Sequence, residues 1–266
     1  MGTLGAVTSI LAPMARRYRV PIEPFAVTTK DGVRIVGARV GDRPQGLVFC
    51  HGFLGWHRKG RIVHMVEALS RWFTVYAFDF RGHGRSSGSS TFGDQEVLDV
   101  DAVVRLARAE RKDPVVTAGG SMGGVAVVRH AALVGGVDAV AAISTPAGWD
   151  GHPSRAVRRM QALTGTARGR RAARALGVRI SDRWGDPASP EEVAADVSPI
   201  PLLVFHGRDD HYFDEEQAWR LYRAAREPKR LLLSSRFGHG EDSYTPLFAE
   251  LLARRVYEET GVPWPG

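Results

Sequence analysis

A chain of 266 residues with 44% hydrophobic and 24% charged side chains is able to bury a sizeable core, and this composition excludes collagenous and disordered classes. Its formal charge of +7 is not a nucleic-acid footprint: the excess is almost all arginine, lysine occurs only at 30, 59, 112 and 229, and the bases are interleaved with acids. The single cysteine, Cys50, excludes an intrachain disulfide, and the apolar run before it marks the thiol as packing.

Residues 1–15 are mildly apolar, with Arg16, Arg17 and Arg19 behind them. That is the reverse of a secretion signal, and Ala6 breaks the acylation pattern that begins at Gly2. The segment reads as a short helix on the body or a frayed end, within an extension over 1–22. No stretch approaches the roughly 18 apolar residues of a membrane span, so a cytoplasmic protein without an integral membrane segment is expected.

Beyond it, β-type runs at 25–29, 33–40, 46–50, 73–78, 114–118, 138–143, 201–206 and 230–234 alternate with amphipathic helical patterns at 61–71, 94–110, 123–134, 215–225 and 245–260. Alternation of this kind predicts an α/β fold, a mostly parallel eight-stranded sheet flanked by helices. Asp31-Gly32 between the first two runs is a two-residue hairpin signal, so the sheet is expected to start antiparallel. In the helix over 94–110, Val97, Val100, Val103, Val104 and Ala107 repeat on one face, as packing on a sheet requires. The rhythm breaks at 146–197, which offers Arg-rich helical pieces at 154–163 and 167–176 but no clear strand. We expect a helical cap or lid there, inserted into a core formed by 23–145 and 198–266.

The run Pro114-Val115-Val116-Thr117-Ala118 leads directly into Gly119-Gly120-Ser121-Met122-Gly123-Gly124 and then into a helical pattern. A serine on a tight strand-to-helix turn is thrust into the open, with small neighbours clearing the adjacent strand and helix. Free N–H groups at the helix start favour negative charge beside it. A serine nucleophile needs a base and an acid to orient that base. Asp209 and Asp210, after the run at 201–206, are the candidate acids, and His239 in the loop Gly238-His239-Gly240 is the candidate base. No two histidines stand at metal-ligand spacing beside an acid, so neither a metal nor another cofactor is expected.

With "HGFLG" at 51–55, "DFRGHGRS" at 79–86, "GGSMGG" at 119–124, "HGRDDHYF" at 206–213 and "GHG" at 238–240, the chain resembles the α/β-hydrolase superfamily over about 33–257. Five motifs in order are more specific than any one. The resemblance implies the α/β-hydrolase fold, with Ser121 as nucleophile, His239 as general base and Asp210, three residues after Gly207, as the orienting acid; Asp209 is the fallback. It implies that the backbone N–H groups of Phe53 and Met122 form the oxyanion hole. His51 and His206, each before a glycine at a strand end, and His83, in a loop after a strand, are expected to shape their loops. The esterase, lysophospholipase and monoacylglycerol-lipase branch looks most similar. A small-molecule acyl ester is the expected substrate, with thioesterase, acyltransferase or peptidase chemistry on the same three side chains, or a non-catalytic binding protein, as alternatives. The nine arginines between 155 and 183 either face solvent or meet an anionic substrate, and Trp149, Met160 and Trp184 are candidates to line a pocket.

Overall fold

Residues 16–150, 154–183 and 185–265 are described by a computed structural model. The chain runs β1 (Ile22–Thr28), β2 (Arg34–Val40), β3 (Gly46–Cys50), α1 (Gly60–Leu69), β4 (Thr74–Asp79), α2 (Glu96–Ala109), β5 (Val115–Gly120), α3 (Met122–Leu133) and β6 (Ala139–Ile143). It continues through α4 (Arg155–Gly165), α5 (Ala167–Ala175), α6 (Pro190–Val193), a 3-10 turn (Ala194–Val197), β7 (Leu202–Gly207), α7 (Glu215–Ala224), β8 (Lys229–Ser234), a second 3-10 turn (Gly240–Ser243) and α8 (Pro246–Thr260). The reading of residues 1–15 as helix or frayed end lies outside the described residues, as does Trp184.

β3 to β7 are buried along their whole length, which requires cover on both faces. The pleat divides their side chains accordingly. Leu47, Phe49, Val116 and Ala118 pack under α1 and α8, whereas Val48, Cys50 and Val115 pack under α2, α3 and α7. The strands form one sheet in the order β1-β2-β4-β3-β5-β6-β7-β8. The β1–β2 and β2–β4 pairs are antiparallel, and all others are parallel. After β3 the chain turns to one face and reaches β4; after β5 it turns to the other face and reaches β6. The connections diverge between β3 and β5, and such a reversal opens a crevice at the carboxyl ends of the strands. No helix among the described residues is long and apolar enough to cross a membrane.

The first hairpin differs from the two-residue turn that Asp31-Gly32 predicts. Thr29 N–H donates to Val33 O at 2.9 Å and Gly32 N–H to Thr29 O at 3.0 Å, leaving three residues in the loop. The Thr29 hydroxyl closes this loop by accepting Val33 N–H at 2.9 Å, and buried Arg81 holds Asp31 Oδ2 at 2.8 Å while its Nε meets Asp99 Oδ1 at 2.9 Å. Between β6 and β7, Ser154 and Thr166 cap α4 and α5 by accepting the N–H of Val157 and Gly169 at 3.1 and 3.0 Å. The short α6, with its Ser189–Glu192 capping box, was not expected from sequence. A parallel bridge between Ser90 and Ile180 ties this segment to the loop after β4.

Asp79, at the end of β4, explains why "DFRGHGRS" is a unit. Its carboxylate is 1% exposed and accepts His57 Nδ1–H at 2.7 Å, His57 N–H at 2.8 Å and Arg85 N–H at 2.8 Å. Burial would raise this carboxyl, yet the His57 and Arg85 donors outweigh burial and hold it below its ordinary value. Asp79→Ala leaves those donors unpaired, and we expect a loss of about 3–5 kcal/mol in chemical denaturation. With its value depressed in the folded protein, Asp79 contributes stability above the ordinary carboxylate range. The contribution is lost as pH falls through the depressed value, so the gap between wild type and variant should persist down to that range and close below it.

Candidate active site

Ser121 stands between β5 and α3 with φ 54° and ψ −118°, a conformation non-glycine residues avoid at a cost of about 1–3 kcal/mol. Two backbone bonds impose it: Ser121 N–H donates to Ile143 O at 2.9 Å, and Val125 N–H donates to Ser121 O at 3.0 Å. The flanking glycines are required by contact. A Cβ on Gly119 would overlap Gly123, and one on Gly123 would overlap the carbonyl of Cys50.

Gly120 has a different neighbour, the buried phenol oxygen of Tyr244, which a Cβ would also overlap. That oxygen makes no hydrogen bond, and burial pushes the phenol upward. The next atom of the ring lies 3.4 Å from the Cβ position, an ordinary contact. We therefore expect Gly120→Ala to cost about 1–3 kcal/mol in thermal or chemical denaturation, and to cost much less in a Tyr244→Phe background. Equal costs in both backgrounds would contradict this packing.

His206 and Gly207 end β7, and the turn after them places Asp210. His239, in the loop after β8, donates Nδ1–H to Asp210 Oδ2 at 2.7 Å. Asp210 Oδ1 accepts the N–H groups of Tyr212 and Phe213 at 2.8 and 3.1 Å, and the acid side chain is wholly buried. Burial alone would raise this carboxyl; the His239 bond and the two N–H groups outweigh it and lower it. Asp209, the fallback, is exposed. The bond fixes the imidazole tautomer, leaving Nε2 with its lone pair. The Tyr212 ring lies against the same imidazole, with centroids 4.4 Å apart and planes at 35°.

Ser121 and Phe53 border two adjoining lobes of a cavity at the crevice between β3 and β5. The first, about 640 Å³, is lined by Phe92, Met122, Val125, Pro146 and Met160 among others. The second, about 610 Å³, includes Lys59, Arg159, His239 and Tyr244. Asp210 reaches only the first and His239 only the second. Among the described residues no hydrogen bond joins Ser121 Oγ to His239, and no acceptor receives the Phe53 N–H. Met122 is the first residue of α3, where an N–H has no partner within the helix.

Trp149 and Met160 line the first lobe, and of the nine arginines between 155 and 183 only Arg159 borders the cavity. Arg179 instead binds the carbonyls of Ser86 and Gly88. His51 donates Nδ1–H to Gly52 O at 2.7 Å and accepts Phe80 N–H at 3.0 Å, with burial pushing it down to about 3. His83 donates to Arg81 O and His206 to Phe213 O. These three rings brace loops. Phe92 was not singled out in the sequence; buried Glu96 positions it by accepting Thr91 and Gly93 N–H, each at 2.8 Å, and it packs on Phe53 with centroids 4.4 Å apart.

A family model described as "Alpha/beta hydrolase family" matches residues 47–266. The chain belongs to the alpha/beta hydrolase family. This alpha/beta hydrolase is 31% identical over 228 residues to the uncharacterized protein YfhR of Escherichia coli strain K12, covering 79% of this chain and 71% of the relative. Its fold is shared with the Pyrococcus furiosus esterase Pf2001 at TM-score 0.72 and 22% identity, covering 93% of this chain and 92% of the other. It is also shared with the alpha/beta hydrolase GrgF from Penicillium sp. sh18, at TM-score 0.70 and 17% identity, covering 91% of this chain and all of the other.

Proposed function

We propose that this alpha/beta hydrolase cleaves carboxylic esters of small molecules through an acyl-enzyme. One observation carries the reading: a histidine held at 2.7 Å by a buried carboxylate borders the same cavity as a serine at φ 54°. Ser121 Oγ attacks the carbonyl carbon as His239 Nε2 takes its proton. The N–H groups of Phe53 and Met122 hold the tetrahedral oxyanion, each worth about 3 kcal/mol. Collapse breaks the bond to the alcohol oxygen, which receives the proton from His239. Water, deprotonated by the same nitrogen, then attacks the acyl carbon; collapse breaks its bond to Ser121 Oγ, which takes the proton back from His239 as the acid leaves. The segment 146–197 acts as a helical cap, α4 contributing Val157 and Met160 to the first lobe.

The test is a series of p-nitrophenyl esters of graded chain length, run beside matched thioester and amide substrates. Ester turnover above both others supports the reading. Turnover confined to thioesters or amides replaces it with the corresponding acyl-transfer chemistry.

A further inference from the structure

The two lobes differ in a way that orients a substrate, given the ester-hydrolase reading on which this inference rests. His239 borders only the second lobe, and Phe92, Met122 and Val125 border only the first. The departing alcohol must take its proton from His239, while the acyl carbon stays on Ser121 with its oxygen at the Met122 N–H. The alcohol therefore leaves through the second lobe, and the acyl chain occupies the first one, beside Phe92, Met122 and Val125.

Charge distinguishes the lobes further. In the second, Lys59 Nζ is neutralised by Glu241 Oε1 at 2.8 Å, and Asp242 is paired with Arg61. Arg159, exposed on α4, borders the lobe and has no carboxylate partner among the ion pairs of the described residues. Of the charged groups bordering the first lobe, Asp150 is paired with Arg220, Glu216 with Arg223 and Asp210 with His239, and Asp214 has no ion-pair partner among the described residues. An anion is favoured in the second lobe and disfavoured in the first. We propose that the natural substrate is an ester whose alcohol part carries an anionic oxyacid group, a carboxylate or a phosphate, paired with the planar, multiply donating guanidinium of Arg159.

The experiment compares kcat/KM for 4-(butanoyloxy)benzoate and 4-(butanoyloxy)phenyl phosphate with that for neutral methyl 4-(butanoyloxy)benzoate, each divided by its rate with hydroxide. We expect wild type to favour at least one anionic ester about tenfold, and the arm that responds identifies the oxyacid. The preference should fall toward one in Arg159→Gln and, in wild type, fall as sodium chloride rises. Phenyl hydrogen glutarate, with its charge on the acyl side, should gain nothing over methyl phenyl glutarate. The proposal is overturned by a wild-type ratio at or below one for both anions, by an unchanged ratio in Arg159→Gln, or by a preference only for acyl-side charge. Turnover of none of these esters by wild type overturns the ester-hydrolase reading itself.

Discussion

Ser121→Ala is expected to lower kcat/KM for the best ester by about 10⁴- to 10⁶-fold, because the remaining machinery has no oxygen to attack with. A steady-state assay with high enzyme concentration measures this. Loss of function should not come from loss of fold, since Ser121 packs as a turn residue whose backbone bonds to Ile143 and Val125 survive the change. The strain at φ 54° supplies a companion result: Ser121→Gly, equally inactive, should be more stable than wild type by about 1 kcal/mol in urea. A serine kept in a costly conformation with no structural return is consistent with a chemical role. Unchanged turnover in Ser121→Ala would remove the nucleophile from the account.

Asp210→Asn should cost about 10⁴-fold in kcat, and Asp209→Asn less than about twofold. The asparagine amide no longer accepts Nδ1–H in preference to donating, so the imidazole turns toward the wrong tautomer. Because the buried Asp210 carboxyl is held below its ordinary value, it stays ionised as pH falls into the usual carboxylate range. Activity lost above that range therefore does not arise from Asp210. The same depression adds stability above the ordinary value and loses it as pH falls through the lowered one. Parallel pH–rate and pH–denaturation curves for wild type and Asp210→Asn check both statements. A larger kcat loss in Asp209→Asn than in Asp210→Asn would reverse the assignment of the acid.

The sheet was legible in the sequence because its signals are local. Apolar runs mark the strands buried on both faces, the three-to-four spacing of Val97, Val100, Val103, Val104 and Ala107 marks α2, and the glycines around Ser121 mark the turn between β5 and α3. Between the two candidate acids, the resemblance to the α/β-hydrolase superfamily chose Asp210, three residues after Gly207, and in the structure it is the Asp210 carboxylate that lies 2.7 Å from His239 Nδ1. What was not legible depends on partners distant in the chain. Asp31 reads as a turn residue until Arg81, fifty positions on, takes its carboxylate. Tyr244 reads as an ordinary aromatic before α8 until the fold sets its phenol against Gly120. Tyr212 stacks on His239 because the Asp210 turn aims it there, and Arg159 stands apart from eight neighbouring arginines only once α4 is oriented over the cavity.

Covalent labelling tests the central claim most directly. Wild-type protein treated with a fluorophosphonate, digested and read by mass spectrometry should carry one adduct, on Ser121, with Ser121→Ala unlabelled and His239→Ala labelled far more slowly. No adduct on the wild type, or equal labelling of Ser121→Ala, would contradict it.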